Sequence, residues 1–491
     1  MDPVTLQVMV GALRAACDEM GVVLVRSAHS ANVKERRDAS TGLFDADGQM
    51  VMQAEHIPVH LGAMPAAVEA ILDEDHSPGD AWILNDPYRG GTHLPDITVI
   101  SPVFVETTLA GFAASRAHHA DVGGRVPGSM PADSKTLDEE GVVIPPTRLD
   151  RELIRELASK MRGPRQREAD LRAQLAANRA GVSRMAELAR RVGLETLKAA
   201  MRETLDYAER RTRAAIAQLE DGERTATDVL ETADGDLELR LKATVDGDEL
   251  TLDFTGSADQ YDGNLNCPLA VTMSACYFAV RVLADPDVPP CAGAYRPVTI
   301  KAPEGSLLNA RAPAAVAGGN VETSSRVADL VLGAFGRALG QGTMNNLTLG
   351  NDEFAYYETL GGGQGACEDA DGPSAVHVAM SNTLNTPIEA LELEFPLRAV
   401  EYSVRRGSGG AGAHRGGDGV VRELEALDEM TYSLITERRR NRPRGAAGGE
   451  PGAAGRNLVN GNEVPPKAAG TLRPGDRLRI ETPGGGGHGE A

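Results

Sequence analysis

The chain has 491 residues and a formal charge of −21, from 71 acidic against 50 basic side chains, with 41% apolar and 25% charged residues. That balance belongs to a globular protein with a large core and two to four structural units, and so acidic a surface repels nucleic acid. No uncharged apolar run approaches the ~20 residues of a bilayer crossing, so no membrane segment is expected. The start MDPVTLQVMVGAL lacks the basic stretch and cleavage site of a secretory signal, so the expected location is cytoplasmic.

Only seven of the basic residues are Lys, and aromatic residues make up 4% of the chain. A carboxylate-rich, Lys-poor surface suits a halophilic setting, where dense charge keeps a chain soluble despite screening; an ordinary acidic cytosolic protein is the milder alternative. Cys17, Cys267, Cys276, Cys291 and Cys367 form no CxxC pair and read as reduced and buried.

Apolar residues recur at helical spacing from Thr5 to about Ser30, which predicts an amphipathic opening helix. A hairpin follows over Leu43 to Gln53, turning at Asp45-Ala46-Asp47-Gly48, then a short helix over Pro65 to Leu72 and buried strands at Ala81 to Asn85 and Ile97 to Phe104. Residues 149–222 are rich in Leu, Ala, Arg and Glu and predict a long helical arm. Beyond it, DLELRLKATVDGDELTLDFTG alternates about Asp246-Gly247 as a hairpin, with helices at about 268–284 and 323–339. Past 420 come short strands and turns, ending in a Gly-rich tail that reads as flexible. The expected class is mixed α/β, of the α+β kind. Its segments are 1–148 (an N-terminal α/β region), 149–222 (the arm), 223–420 (a second α/β region with Gly-rich loops) and 421–491 (a β-rich C-terminal part).

Seven of the ten His lie before residue 120. Directly after a buried strand, NDPYRGGTHLPD is dense in turn formers, and such loops present functional groups. His93 and Asp96 lie three apart in it, and SRAHHAD brings His118, His119 and Asp121 about twenty residues on. Two imidazoles and one or two carboxylates, with no Cys, suit an open zinc, manganese or iron site that acidifies water and polarises a carbonyl. Separate loop histidines making structural hydrogen bonds are the alternative that spacing alone leaves open.

The strings SANVKERRDAS, AEHIPVHLGAMP, NDPYRGGTHLPDITVISPVF, AHHADVGGRVPGSMP, GNLNCPLAVT, GGNVETSSRV and YYETLGGGQGA, in this order, resemble the hydantoinase B/oxoprolinase family over almost the whole chain. That resemblance implies a divalent metal held by His93, Asp96 and His118, with an acidic residue of the KERRD string as the fourth ligand, here Asp38 in preference to Glu35. It also implies an A-type ATPase partner in an A2B2 assembly. The A subunit phosphorylates the amide oxygen of a small cyclic amide, such as a hydantoin or 5-oxoproline, and water activated at the metal of the B subunit attacks the activated carbon. The absence of any Gly-Lys dipeptide, hence of a P-loop, agrees with ATP being consumed elsewhere. A ketone carboxylase of the acetone carboxylase type and a non-catalytic metal-binding scaffold are the other readings.

Glu55, His56, His119 and Asp121 are candidates for general-base work or for orienting the ligand imidazoles, and His60 shares that reading with one as a core histidine. Gly318-Gly319-Asn320 ahead of a helix is a candidate anion cradle for a phosphorylated intermediate. Glu140 is a candidate to approach the same pocket but reads first as an exposed carboxylate before a strand, and Glu437 to Arg442 reads as a solvated basic loop or a partner contact. In PPCAGAYRP, Cys291 stands earlier than the Cys of the family pattern, so no thiol role is carried over.

Overall fold

Asp2 starts the first helix: its carboxylate accepts the Val4 and Thr5 N–H groups at 3.1 and 3.0 Å, and Pro3 fits the first turn. The helix runs Pro3–Ser27 and buries Leu6, Met9, Val10, Leu13, Cys17, Met20 and Leu24 on one face. That face packs on the helix Pro164–Val192 and on the first sheet. The computed structural model describes residues 1–55, 57–285 and 287–491, with the Glu55 side chain also outside the description. The roles expected of Glu55 and His56 therefore lie outside the described residues. Among the described residues, no helix is long and apolar enough to cross a membrane.

The first sheet contains β1 (Ala39–Phe44), β2 (Met50–Glu55), β3 (Trp82–Leu84), β4 (Asp96–Val105), β5 (Thr108–His118) and β6 (Thr147–Arg148). Its order is β2-β1-β5-β4-β3-β6, antiparallel throughout. The turn between β1 and β2 closes where the Asp45 carboxylate accepts the Asp47 and Gln49 N–H groups. Asp96 and His118 are direct partners across β4 and β5, and Ala39 pairs with Ala117 across β1 and β5. The first residue of β4, the last of β5 and the residue preceding β1 thus meet at one end of three adjacent strands.

In the 149–222 stretch, helices Arg151–Ser159, Pro164–Val192 and Leu194–Ile216 form. The second lies on the sheet: buried Gln174 and Asn178 donate to the Ile97 and Val99 carbonyls, each at 2.9 Å. A second sheet, β10-β9-β8-β7, joins β7 (Gly222–Glu231), β8 (Asp236–Asp246) and β9 (Glu249–Asp253) to β10 (Val298–Lys301), which runs parallel to β9. Helices Leu269–Leu283 and Ser324–Ala334 share a core with this sheet through Leu241, Leu252, Val271 and Leu330.

The remaining strands are β11 (Asn346–Gly350), β12 (Ala355–Glu358), β13 (Leu397–Arg405), β14 (Gly419–Ala426), β15 (Met430–Ile435), β16 (Arg456–Val459), β17 (Asn462–Glu463), β18 (Lys467–Leu472) and β19 (Arg477–Glu481). They form two sheets, β12-β11-β15-β18 and β13-β14-β19-β16-β17, around a common core that includes Leu347, Leu424, Leu434 and Ile480. With 31% helix and 26% strand, neither kind dominates, and the class is the mixed α/β one expected.

Two local expectations are corrected. The glycine tail is buried: the N–H groups of Gly485, Gly486 and Gly487 donate to the carbonyls of Gly417, Leu339 and Glu450, each at 2.9 Å. Only glycine permits this packing, because a Cβ on Gly485 would stand 2.0 Å from the Gln364 carbonyl oxygen. Glu437 and Arg438, the start of the Glu437 to Arg442 run, are likewise buried rather than part of a solvated loop, while Arg440 and Arg442 are exposed. Arg438 bonds Asp329 at 2.6 Å and Asp228 at 2.9 Å, Arg326 reaches Glu437 at 3.3 Å, and Lys467 pairs with Glu437. Buried charges need partners, and these come from β7, the helix Ser324–Ala334 and Lys467 at the start of β18, all outside the run itself.

Candidate metal centre

Asn85 organises the loop after β3: its Nδ2 donates to the Leu94 and Val142 carbonyls at 2.8 and 3.0 Å, and its Oδ1 accepts the Ile144 N–H at 2.6 Å. Gly90 has a φ of +96°, and a Cβ there would meet the Ala66 carbonyl oxygen at 2.5 Å, so the Gly-Gly pair is what lets the loop fold back. Arg116 Nη2 holds the Gly90 carbonyl at 2.9 Å. The result sets His93 beside the first residue of β4.

His93, Asp96 and His118 each present a ligand atom, all lie within 4.8 Å of one another, and all three residues are buried. Asp96 Oδ2 accepts from Thr92 Oγ1 at 2.7 Å and lies 3.2 Å from His93 Nε2 and 3.5 Å from His60 Nε2. His60 Nδ1 is fixed by Ser40 Oγ at 2.8 Å. The His118 ring stacks on Tyr357 at 4.2 Å, and the Asn32 amide lies 3.1 Å from its Nδ1. Arg36 sits 4.8 Å over the other ring of that stack and donates to the Tyr357 carbonyl at 3.0 Å and to Thr359 Oγ1 at 2.8 Å. A cavity of about 20 Å³ opens between these groups, lined by Asp38, His60, Asp96, His118, Asn320 and Ser381 among others.

Burial pushes the Asp96 carboxyl up, but the His93 and His60 imidazoles outweigh it and hold it well below the usual carboxylate range. Burial keeps His118 and His60 below the ordinary imidazole value, hence neutral. Burial, with Asp96 adding to it against Arg36 and His93, raises Asp38 to about 7. An anionic carboxylate set among ring nitrogens makes an environment that favours a cation. His118 Nε2 has no hydrogen-bond partner among the described residues although it is buried, and the His93 nitrogen turned to Asp96 is Nε2, 3.2 Å from its Oδ2. A buried ring nitrogen without a partner is one a metal would satisfy. The donor set therefore fits a divalent ion, with Asp38 facing the same cavity and Glu35 outside its lining.

Other expected residues lie elsewhere. His119 turns to the helix side of the sheet, where its Nε2 meets Gln174 Oε1 at 3.0 Å. Among the described residues Asp121 meets no imidazole: its oxygens accept the N–H groups of Gly123, Arg162 and Gly128 and the Arg162 guanidinium at 2.8 to 3.1 Å. Glu140 is buried, not exposed, and accepts from Ser134 Oγ and the Val316 and Ala317 N–H groups at 2.8, 3.1 and 3.0 Å. Gly318 and Gly319 make room for Asn264 and Asn266, and the N–H groups of Gly319 and Asn320 donate to the Asn264 and Val316 carbonyls. Those two N–H groups are thus spent within the fold, while the Asn320 side chain, its Oδ1 unpartnered among the described residues, lines the cavity. Asn32, Tyr357 and Ser381 join the site unanticipated. Asn32 and Tyr357 stood inside the family-like strings SANVKERRDAS and YYETLGGGQGA, which was the available signal.

The fold and this cluster define a multi-sheet α/β protein with a buried His-Asp-His group that could hold a metal ion. The chain belongs to the hydantoinase B/oxoprolinase family, whose sequence profile matches residues 2–491. It is 40% identical over 528 residues to 5-oxoprolinase 1 of Arabidopsis thaliana, covering 99% of this chain and 42% of that protein. It therefore spans about two fifths of that relative's length. A protein assigned as the B component of a D-/L-hydantoinase of Pseudomonas sp. is 31% identical over 534 residues, with 100% of this chain and 90% of that one covered. Among solved structures, the ATP-dependent caprolactamase from Pseudomonas jessenii superposes with a TM-score of 0.92 at 30% identity, over 100% of this chain and 91% of that one. Nucleotide-free acetone carboxylase gives a TM-score of 0.88 at 20% identity over 99% and 76%, a likeness of fold.

Proposed function

We propose that this chain is the metal-dependent hydrolytic subunit of an ATP-dependent cyclic-amide hydrolase, working on a hydantoin, 5-oxoproline or related lactam activated by phosphorylation on a separate A-type ATPase subunit in an A2B2 assembly. The observation that carries the reading is the buried His93, Asp96 and His118 cluster, with an unpartnered ring nitrogen, at the edge of a small cavity. A zinc, manganese or iron ion held there would polarise a carbonyl and acidify water, the two services amide hydrolysis needs. Thr92 and His60 hold the Asp96 carboxylate in place, and the Tyr357 stack with Asn32 fixes the His118 ring. Ile57, Val59, Val321, Met344 and Met380 form the apolar part of the cavity lining and restrict bulk water. The likeness to an ATP-dependent caprolactamase and to the B component of a hydantoinase supports the division of labour.

Co-expression with an A-type subunit tests the proposal, with ATP turnover and ring-opened product measured for hydantoin, 5-oxoproline, caprolactam and acetone. The expected result is ATP turnover stimulated by a ring amide and matched by ring opening, both lost in His118→Ala. Stimulation by acetone alone, with carboxylated product, would make the chain part of a ketone carboxylase. Stimulation by none of them would refute the proposal.

A further inference from the structure

Between β12 and the helix Ile388–Glu394, a looped segment places His377 Nδ1 2.5 Å from Ser381 Oγ and His377 Nε2 3.3 Å from Asn385 Oδ1. The orientation of Asn385 is set by its own bonds. Its Nδ2 donates to Glu358 Oε1 at 3.0 Å and to the Thr359 carbonyl at 2.9 Å, and Tyr402 donates its hydroxyl to Oδ1 at 2.8 Å. With an oxygen facing Nε2, that nitrogen carries the imidazole proton and Nδ1 is left as an acceptor. Ser381, 3% exposed, then donates its hydroxyl proton to Nδ1, which leaves the Oγ lone pairs for a group in the cavity it lines with Asp38, Asp96 and His118. Glu358 is itself anchored, its Oε2 accepting from Arg422 Nε at 3.3 Å. A carboxylate, an amide, an imidazole and a hydroxyl thus run in series to the cavity, the arrangement by which a serine is activated through an oriented histidine.

We propose that Ser381, His377 and Asn385 form a proton relay for the reaction in the cavity, an inference that rests on the hydrolase reading above. As water adds to the activated ring carbon, the new C–O bond forms while a water proton passes to Ser381 Oγ and the serine's own proton passes to His377 Nδ1. When the ring C–N bond breaks, the proton returns from Nδ1 through Oγ to the departing nitrogen, the added hydroxyl loses its proton and becomes the C=O, and the phosphorylated oxygen remains as an acyl phosphate that a second water hydrolyses to the carboxylate and inorganic phosphate. Ser381 is the catalytic residue and Asn385 a positioning residue. Burial first, and then the Arg36 guanidinium, lower the His377 imidazole to about 4 against the opposing Asn385 and Glu358. The ring is therefore a neutral acceptor at rest and a strong acid once protonated, which suits the return leg.

The test uses the co-expressed complex. Ser381→Ala and His377→Gln are expected to lower kcat for ring opening by about 100-fold or more at unchanged metal content and thermal midpoint, with Ser381→Thr recovering most of it. Asn385→Asp, which sets a carboxylate against Nε2, is expected to move the acid limb of the kcat profile upward by about one pH unit, a shift that a merely structural contact would not produce. Ser381→Ala turning over within about threefold of wild type would overturn the relay. Should the wild-type complex open no ring amide, the hydrolase reading fails on its own account, and ¹⁵N NMR of His377 in the isolated chain still judges the geometry. An Nε2–H tautomer protonating below about pH 5 supports it, and an Nδ1–H tautomer overturns it.

Discussion

Replacing Arg438 by Met tests whether the internal charge network holds the second half of the chain together. Arg438 is 1% exposed and bonds Asp329 and Asp228 through the same Nη2, with Nη1 adding a 3.2 Å bond to Asp228. Met keeps much of the volume but leaves Asp329 facing Arg326 at 3.4 Å, and Asp228 facing Arg326 at 3.6 Å and the exposed Arg444 at 3.5 Å. Breaking a buried pair by removing one partner costs about 3–5 kcal/mol. For 491 residues, an unfolding entropy of ~2.1 cal/mol/K per residue gives about 1 kcal/mol/K, so the midpoint should fall by about 3–5 °C. Adding Asp329→Asn removes one stranded carboxylate, so the double variant should lose less than the sum of the singles, with a coupling of about 0.5–3 kcal/mol. Scanning calorimetry on the four proteins of the cycle measures both quantities. A single-variant shift below about 1 °C, or strictly additive losses, would refute the reasoning.

Asn32→Ala should weaken divalent-metal affinity by about 10–100-fold without unfolding the chain, as read by isothermal titration calorimetry, because it frees the His118 ring. Glu140→Gln reads out a pH dependence. Burial raises the Glu140 carboxyl to about 7 in the fold, so between its unfolded value of about 4.5 and 7 the native state keeps a proton that the unfolded chain releases. Native stability then falls with rising pH by up to about 3 kcal/mol, a loss the variant lacks. The midpoint difference between the two proteins should therefore change by about 3 °C between pH 5 and pH 8, and a difference flat in pH would count against it. Gly485→Ala should destabilise severely because its Cβ meets backbone at 2.0 Å, whereas Gly11→Ala, with nothing within 4 Å in a helix, should stabilise; the helical gain is about 1 kcal/mol in thermal melts.

Local pattern carried much of the fold. The opening helix, the hairpin around Asp45 to Gly48 and the strands flanking the His93 loop all lie within a few residues of where periodicity places them, because each is decided by near neighbours. The pairing of Asp96 with His118 was out of reach, since it depends on the register of β4 on β5. His118 and His119 are adjacent in sequence yet face opposite sides of the sheet, a consequence of strand alternation that only knowing the strand end reveals. Glu140, the Arg438 cluster and the glycine tail were misread for one shared reason. Each is polar or glycine-rich in its own window, and each is buried by groups far away in the chain: Val316 and Ala317, Asp228 and Asp329, and Gly417 and Leu339. His377, Ser381 and Asn385 lie four apart in turn, a spacing that reads as a helix face, and here they meet in an irregular segment.

Metal stoichiometry is the most direct test of the central claim. Wild-type chain, His93→Ala, His118→Ala and His119→Gln would be purified from metal-supplemented medium and assayed by plasma mass spectrometry together with zinc and manganese titrations. One tightly held divalent ion per chain is expected in wild type and in His119→Gln, since the His119 ring faces Gln174, and none in His93→Ala or His118→Ala. A wild-type chain that holds no metal, or a His118→Ala chain that holds it as tightly as wild type, would rule out a metal centre at His93, Asp96 and His118.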